Sequence, residues 1–91
     1  MPRPRRPRRL RFSPGVVYFK PRGVPMRNLR EVVLARDEIE AIKLYQIERK
    51  PQKEAAKAMG ISQPTFARTL MRAERKVARA LILGMAIRIE D

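Results

Sequence analysis

Residues 52–81 read QKEAAKAMGISQPTFARTLMRAERKVARAL, two helical patterns separated by the short turn Met59-Gly60-Ile61-Ser62. Gly60 stands where the first helix must stop, in a left-handed backbone conformation that glycine adopts without strain, and Ser62 can cap the next helix by accepting a backbone N–H. Pro64 then falls in the first turn of that second helix, where a missing N–H costs nothing. At about 100° per residue, Phe66, Leu70, Ala73, Val77 and Leu81 gather on one face and Arg68, Arg72, Arg75 and Arg79 on the face opposite. On the preceding helix Ala55 and Ala56 are small enough to let the two axes approach closely, while Met59 and Ile61 supply the apolar contact at the corner. The pattern predicts a helix-turn-helix, the arrangement that places a second helix in the DNA major groove.

A helix with an apolar face opposite a charged one is ordinary, and most charged stripes are solvated surfaces. This stripe carries one sign, is built from arginine and follows a capped Gly-x-Ser turn, which favours nucleic-acid contact over a merely solvated face.

Ninety-one residues with 44% hydrophobic content suit one small domain with a single core and no deep substrate cleft. The 22 Lys and Arg against 9 Asp and Glu give a net charge of +13, which points to a polyanionic partner. The charge is unevenly placed: residues 1–30 carry ten basic and no acidic residues, residues 31–62 six of each, and residues 63–91 six basic and three acidic. With no Cys and no His, thiolate and imidazole chemistry and most zinc sites are excluded, and no cofactor or metal is expected. No apolar run approaches a membrane span and the basic start has no apolar stretch after it, so a cytoplasmic, nucleoid-associated location is expected.

From Met1 to Phe12 proline alternates with Arg3, Arg5, Arg6, Arg8, Arg9 and Arg11, a composition expected to be extended and disordered alone. As a function it suits an arm that tracks phosphates or enters a minor groove; the bland alternative is a solubilising tail. Val16-Val17-Tyr18-Phe19 reads as a short strand ended by Pro21 and the turn residues to Pro25, with Tyr18 and Phe19 expected in the core rather than stacked on bases. Glu31-Val32-Val33-Leu34 reads as a second short strand or extended lead-in. A helix follows from about Arg36 or Asp37 to Glu48, its early acids favoured by the helix dipole, and its apolar residues leave little polar face, so it should be covered on more than one side. Pro51 separates that helix from Gln52, Gly84 ends the long helix, and Ala86-Ile87-Arg88-Ile89-Glu90 alternates as a half-buried strand. That last strand must pair with Val16 to Phe19, with Val32 to Leu34, or with another chain.

Several stretches together resemble the small prokaryotic predicted DNA-binding proteins of uncharacterised protein family 0251. They are Met1-Pro2-Arg3-Pro4, Tyr18-Phe19-Lys20-Pro21, Gly23-Val24-Pro25, Val32-Val33-Leu34, Asp37-Glu38-Ile39-Glu40-Ala41, Glu54-Ala55-Ala56, Met59-Gly60-Ile61-Ser62, Thr65-Phe66 and Ala86-Ile87-Arg88-Ile89-Glu90. Leu34 to Leu81 is also similar to region four of the sigma-70 factors, the helix-turn-helix that reads the promoter −35 element. The resemblance implies a DNA-binding, regulatory protein whose target the family leaves open. Three positions depart from the pattern: Ala35 stands where a Thr cap is usual, Arg49 where a Gly is common, and Lys50-Pro51 where an apolar residue and a Ser or Thr are common. Some relatives look longer at the C-terminus, and the function of such a tail is expected to lie outside this chain.

The expected fold is therefore mainly α: a sigma-70 region-four-like three-helix core with its motif at 52–81 and short flanking strands over 13–91, preceded by a disordered basic arm over 1–12. The expected function is sequence-preferring binding of double-stranded DNA as a transcriptional regulator. Gln63, Thr65, Arg68, Thr69 and Arg72 are assigned to base edges, and Arg75, Lys76, Arg79 and the arm, with Arg3, Arg5, Arg6, Arg8 and Arg9, to phosphates. A homodimer is expected, because the first helix is apolar on more sides than one domain covers and the last strand needs a partner. Two alternatives stay open, a ribosome-associated RNA binder, for which an arginine-rich tail is equally natural, and a module that contacts RNA polymerase. An enzyme is not expected: a nucleophile at Ser13 or Ser62 would lack an imidazole base, and the acids sit at helix starts.

Overall fold

Runs as short as Val32-Val33-Leu34 and Ala86-Ile87-Arg88-Ile89 cannot hold themselves extended, and each needs a neighbour to complete its hydrogen bonds. In the structure, a computed structural model that describes residues 16–90, they find one another. Strands β1 (Val16–Phe19), β2 (Glu31–Leu34) and β3 (Ala86–Glu90) form one sheet in the order β1-β3-β2. The C-terminal strand is thus central, antiparallel to β1 with Val17 opposite Ile89 and Phe19 opposite Ile87, and parallel to β2 with Val32 opposite Ile87 and Leu34 opposite Ile89. Of the three pairings open to this strand, the two within the chain are both made, which removes one of the two grounds for expecting a second subunit. The arm expected over 1–12 lies outside the described residues.

Three helices follow β2: α1 (Arg36–Ile42), α2 (Gln52–Met59) and α3 (Gln63–Leu83). The α2–α3 corner is built as its residues dictate. Gly60 is left-handed at φ 72°, and its N–H and that of Ile61 close onto the carbonyls of Lys57 and Ala56 at 3.1 and 3.0 Å, satisfying the last carbonyls of α2. Ser62 Oγ accepts the Thr65 N–H at 3.2 Å and so caps α3, with Pro64 in its first turn. Gly84 ends α3 in the same left-handed way, and Met85 N–H bonds Ala80 O at 2.9 Å. The chain is a helix-turn-helix on a three-helix core with a short sheet at one end.

Two apolar clusters make the core, and α3 contributes to both. Ala41 and Leu44 from the first helical segment meet Ala55 and Ala56 of α2 and Phe66 and Leu70 of α3. The alanines bring the axes close enough for Phe66 to be fully enclosed between them. Further along α3, Ala80 packs with Val32, Met85 and Ile87 under the sheet. This shift of contacts corrects an expectation. Leu81 shares the face of Phe66 by helical angle, yet it is 72% exposed, because beyond Ala73 the neighbours lie on the Ala80 side and none of the described residues covers the Leu81 side. Tyr18 and Phe19 also depart from the expected core position: both are exposed, since β1 is an edge strand and α3 runs against β2 and β3.

The first helix is regular only to Ile42. Its last turn, Lys43–Ile47, widens to π geometry with Glu48 N–H bonding Lys43 O at 2.9 Å. The widening keeps Leu44 buried while Ile47 faces outward. The turn closes through Lys50 N–H to Leu44 O at 3.0 Å, with Arg49 between them at φ 61°. Arg49 is thus the one non-glycine residue in a left-handed conformation among the described residues.

A left-handed backbone costs an ordinary L-residue about 1–2 kcal/mol, of which glycine recovers part after its own entropy loss. Arg49→Gly should therefore stabilise the fold by about 0.5–1 kcal/mol and raise the melting midpoint by about 3–6 °C for a domain of this size. An unchanged or lower midpoint in thermal denaturation would show that Arg49 makes compensating contacts.

Candidate nucleic-acid interface

The outer face of α3 is basic because arginine recurs there every three or four residues, on the side of the helix that neither core cluster uses. Arg68, Met71, Arg72, Arg75, Lys76 and Arg79 line one shallow surface on that face. From Arg68 to Arg79 the stripe runs roughly 17 Å at the helical rise. Arg68 and Arg75 and Arg79 form no ion pair among the described residues, so their charge is uncompensated there.

The other candidates fall into four groups. Gln63 is exposed at the start of α3, and Thr65 is half-buried with its hydroxyl accepting from Ser62 Oγ at 2.9 Å and from Arg68 Nη2 at 3.4 Å. Thr69 is 5% exposed. It is not presented to a base edge, because its side chain is buried at the margin of the inner face, beyond Ala73 on the Ala80 side. Lys76 is also turned away from its assigned phosphate: its Nζ donates to Val33 O at 2.7 Å and to Glu38 Oε1 at 2.9 Å. Arg72 stands between these cases, with Nε donating to Glu38 Oε2 at 2.7 Å while the side chain stays 52% exposed. Arg3, Arg5, Arg6, Arg8 and Arg9 lie outside the described residues.

Glu38 is what sequence reasoning missed. It sits at the third position of α1 with its side chain 1% exposed. One carboxylate oxygen accepts the Ala35 N–H at 2.9 Å, half of a capping box whose other half is absent because the Ala35 methyl accepts nothing. The remaining acceptor capacity takes Arg72 and Lys76 from α3, so one buried carboxylate joins the start of α1, the end of β2 through Lys76, and the middle of α3. A Glu at the third helix position before an apolar run carries half of the capping-box signature, and Ala35 lacks the side chain that would complete it. Nothing in the spacing told that α3 would supply the cations. Asp37 lies 3.8 Å from Arg72 with both side chains half exposed, and such a screened pair adds little.

Burial by itself raises the pKa of Glu38, but the Ala35 N–H bond and the bonds from Lys76 and Arg72 more than offset this, holding the carboxyl below its ordinary 4.5. Since the folded value lies below the unfolded one, the contribution to stability is complete above that ordinary value and is lost as pH falls through the folded value. Thermal melts over an acid series should show the native midpoint falling below pH 4.5. Glu38→Gln should melt lower at neutral pH, since the buried network is broken, and should show a shallower acid limb. Parallel acid limbs for the two proteins would contradict this account of Glu38.

Comparison with known proteins agrees with this architecture in extent, for the similarity runs through strands, arm and motif alike. The family described as "Protein of unknown function DUF134" matches residues 1–91. A "UPF0251 protein" of Moorella thermoacetica is 56% identical over 90 residues, which is 99% of this chain and 60% of that relative. "UPF0251 protein" relatives of Desulfosudis oleivorans and Desulforudis audaxviator are 52% and 51% identical over 99% of this chain, covering 65% and 59% of their own lengths. The chain thus spans about three fifths to two thirds of the length of these relatives. No solved structure matches it significantly. With the whole chain matched by the family and half its residues identical in several relatives, the protein belongs to the UPF0251 (DUF134) family.

Proposed function

We propose that this protein binds double-stranded DNA with sequence preference through the outer face of α3, and that it acts as a transcriptional regulator. The observation that carries the reading is the uncompensated row Arg68, Arg75 and Arg79, borne on the exposed side of the second helix of a capped helix-turn-helix. A rigid helix roughly 10–12 Å across fits a major groove, and two capped corners fix how this one projects. The likeness of Leu34 to Leu81 to region four of the sigma-70 factors supports the same reading. The arginine-rich start of the chain adds phosphate contacts that carry no sequence information.

The DNA reading is preferred to the RNA alternative because an RNA binder needs charge but no helix presented for a wide groove. A polymerase contact is compatible with the fold and would not by itself call for so basic a first third of the chain. The exposed Leu81, Ile82 and Leu83 at the end of α3 support a homodimer as part of the proposal, now without help from β3. A cytoplasmic, nucleoid-associated location completes it; among the described residues no helix is long and apolar enough to cross a membrane. The proposal assigns no catalytic role.

The test is the dependence of duplex affinity on salt. Three free arginines on α3 and six in the first twelve residues offer roughly six to nine phosphate contacts, so log K against log salt should fall with a slope of about −5 to −8. A nearly flat slope would remove the polyanion reading altogether.

A further inference from the structure

Arg72 differs from the other arginines of the stripe in being held. Its Nε–H is committed to Glu38 Oε2 at 2.7 Å, and the oxygen that receives it belongs to a buried side chain fixed in turn by the Ala35 N–H and by Lys76. Among the described residues no other nitrogen of Arg72 makes a hydrogen bond, and the side chain is half exposed. The N–H groups on Nη1 and Nη2 therefore form a fork whose direction is set before any ligand arrives. Little rotamer freedom is left to lose on binding.

The electrostatics separate Arg72 further. Asp37, Glu38, Arg72 and Lys76 form a connected group with two negative and two positive charges, so Arg72 adds little net attraction for a phosphate. What it retains is directional donation. Arg68, Arg75 and Arg79 have the opposite character, with no carboxylate among the described residues to pair with or aim them.

Resting on the DNA-binding reading above, we infer that Arg72 is a specificity-determining residue that reads the O6/N7 edge of a guanine, and that Glu38 is its positioning residue. A guanine edge presents two acceptors without a formal charge, which suits a fixed, locally neutralised fork; a phosphate rewards free charge and tolerates a mobile one. The three uncompensated arginines take the phosphates. The base-reading role thus shifts one turn along α3 relative to Arg68.

The experiment starts from duplexes selected by the native chain from a random pool and compares native, Arg72→Lys and Glu38→Gln proteins, each well below its melting midpoint. Arg72→Lys keeps the charge and loses the fork. It should reduce discrimination at one G·C pair roughly 5- to 100-fold while leaving the salt slope unchanged. Glu38→Gln cannot satisfy Arg72, Lys76 and the Ala35 N–H together, and should lose discrimination at the same pair while affinity for random duplex holds or rises. Replacing that guanine by 7-deazaguanine should weaken the native protein and leave Arg72→Lys indifferent. Equal weakening of selected and random duplexes by Arg72→Lys would make Arg72 a phosphate contact and overturn the inference, as would full discrimination in Glu38→Gln. A native chain that binds no duplex overturns the DNA reading itself, and is distinguished by the absence of any selected pool.

Discussion

The carboxylate of Glu38 lies where the end of the sheet, the start of α1 and the middle of α3 converge, and its bonds leave little freedom in how they meet. A buried carboxylate is tolerated only when hydrogen bonds replace the water it has lost. Here they come from the Ala35 N–H, Arg72 and Lys76, with Lys76 also bonded to the Val33 carbonyl. The apolar contacts of α3 below and above this point belong to separate clusters, one around Phe66 and one around Ala80. Glu38 is the polar tie between them, and it fixes the roll of α3 about its own axis. That roll decides which arginines face outward.

The same tie divides a stripe that looks uniform in sequence. Arg72 and Lys76 are turned toward carboxylates, whereas Arg68, Arg75 and Arg79 pair with none among the described residues. Counting basic residues therefore overstates the field of α3. Coulomb attraction to a polyanion comes from the free charges, and directed contact comes from the constrained one.

Local chemistry was legible in the sequence and long-range cover was not. Gly60, Ser62, Pro64 and Gly84 each impose a backbone consequence on their own neighbours, and each stands where that consequence is needed. Helical period placed Phe66, Leu70 and Ala73 inward for the same reason. It failed at Leu81 and Thr69, because an angle on a cylinder does not say how wide the covered arc is or where the covering elements stop. Tyr18 and Phe19 were misplaced because edge position depends on strand order, which two separated strands decide. The pairing of β3 could be narrowed to three options from its need for a neighbour, and only the tertiary structure selects among them. The widened turn after Ile42 and the left-handed Arg49 follow from helix packing, which the local residue pattern does not carry.

The central claim is that the outer face of α3 is the surface that meets duplex DNA. Arginine side-chain Nε–H resonances report this directly, since each guanidinium gives its own signal and changes when it binds an anion or a base. On titration with a selected duplex, Arg68, Arg75 and Arg79 should shift and gain protection from solvent exchange and Arg72, whose Nε–H is already bonded to Glu38, should shift, while Arg88, tied to Glu31 on the sheet, should do neither. Shifts confined to Arg88 and the sheet, with the α3 arginines unmoved, would contradict the account.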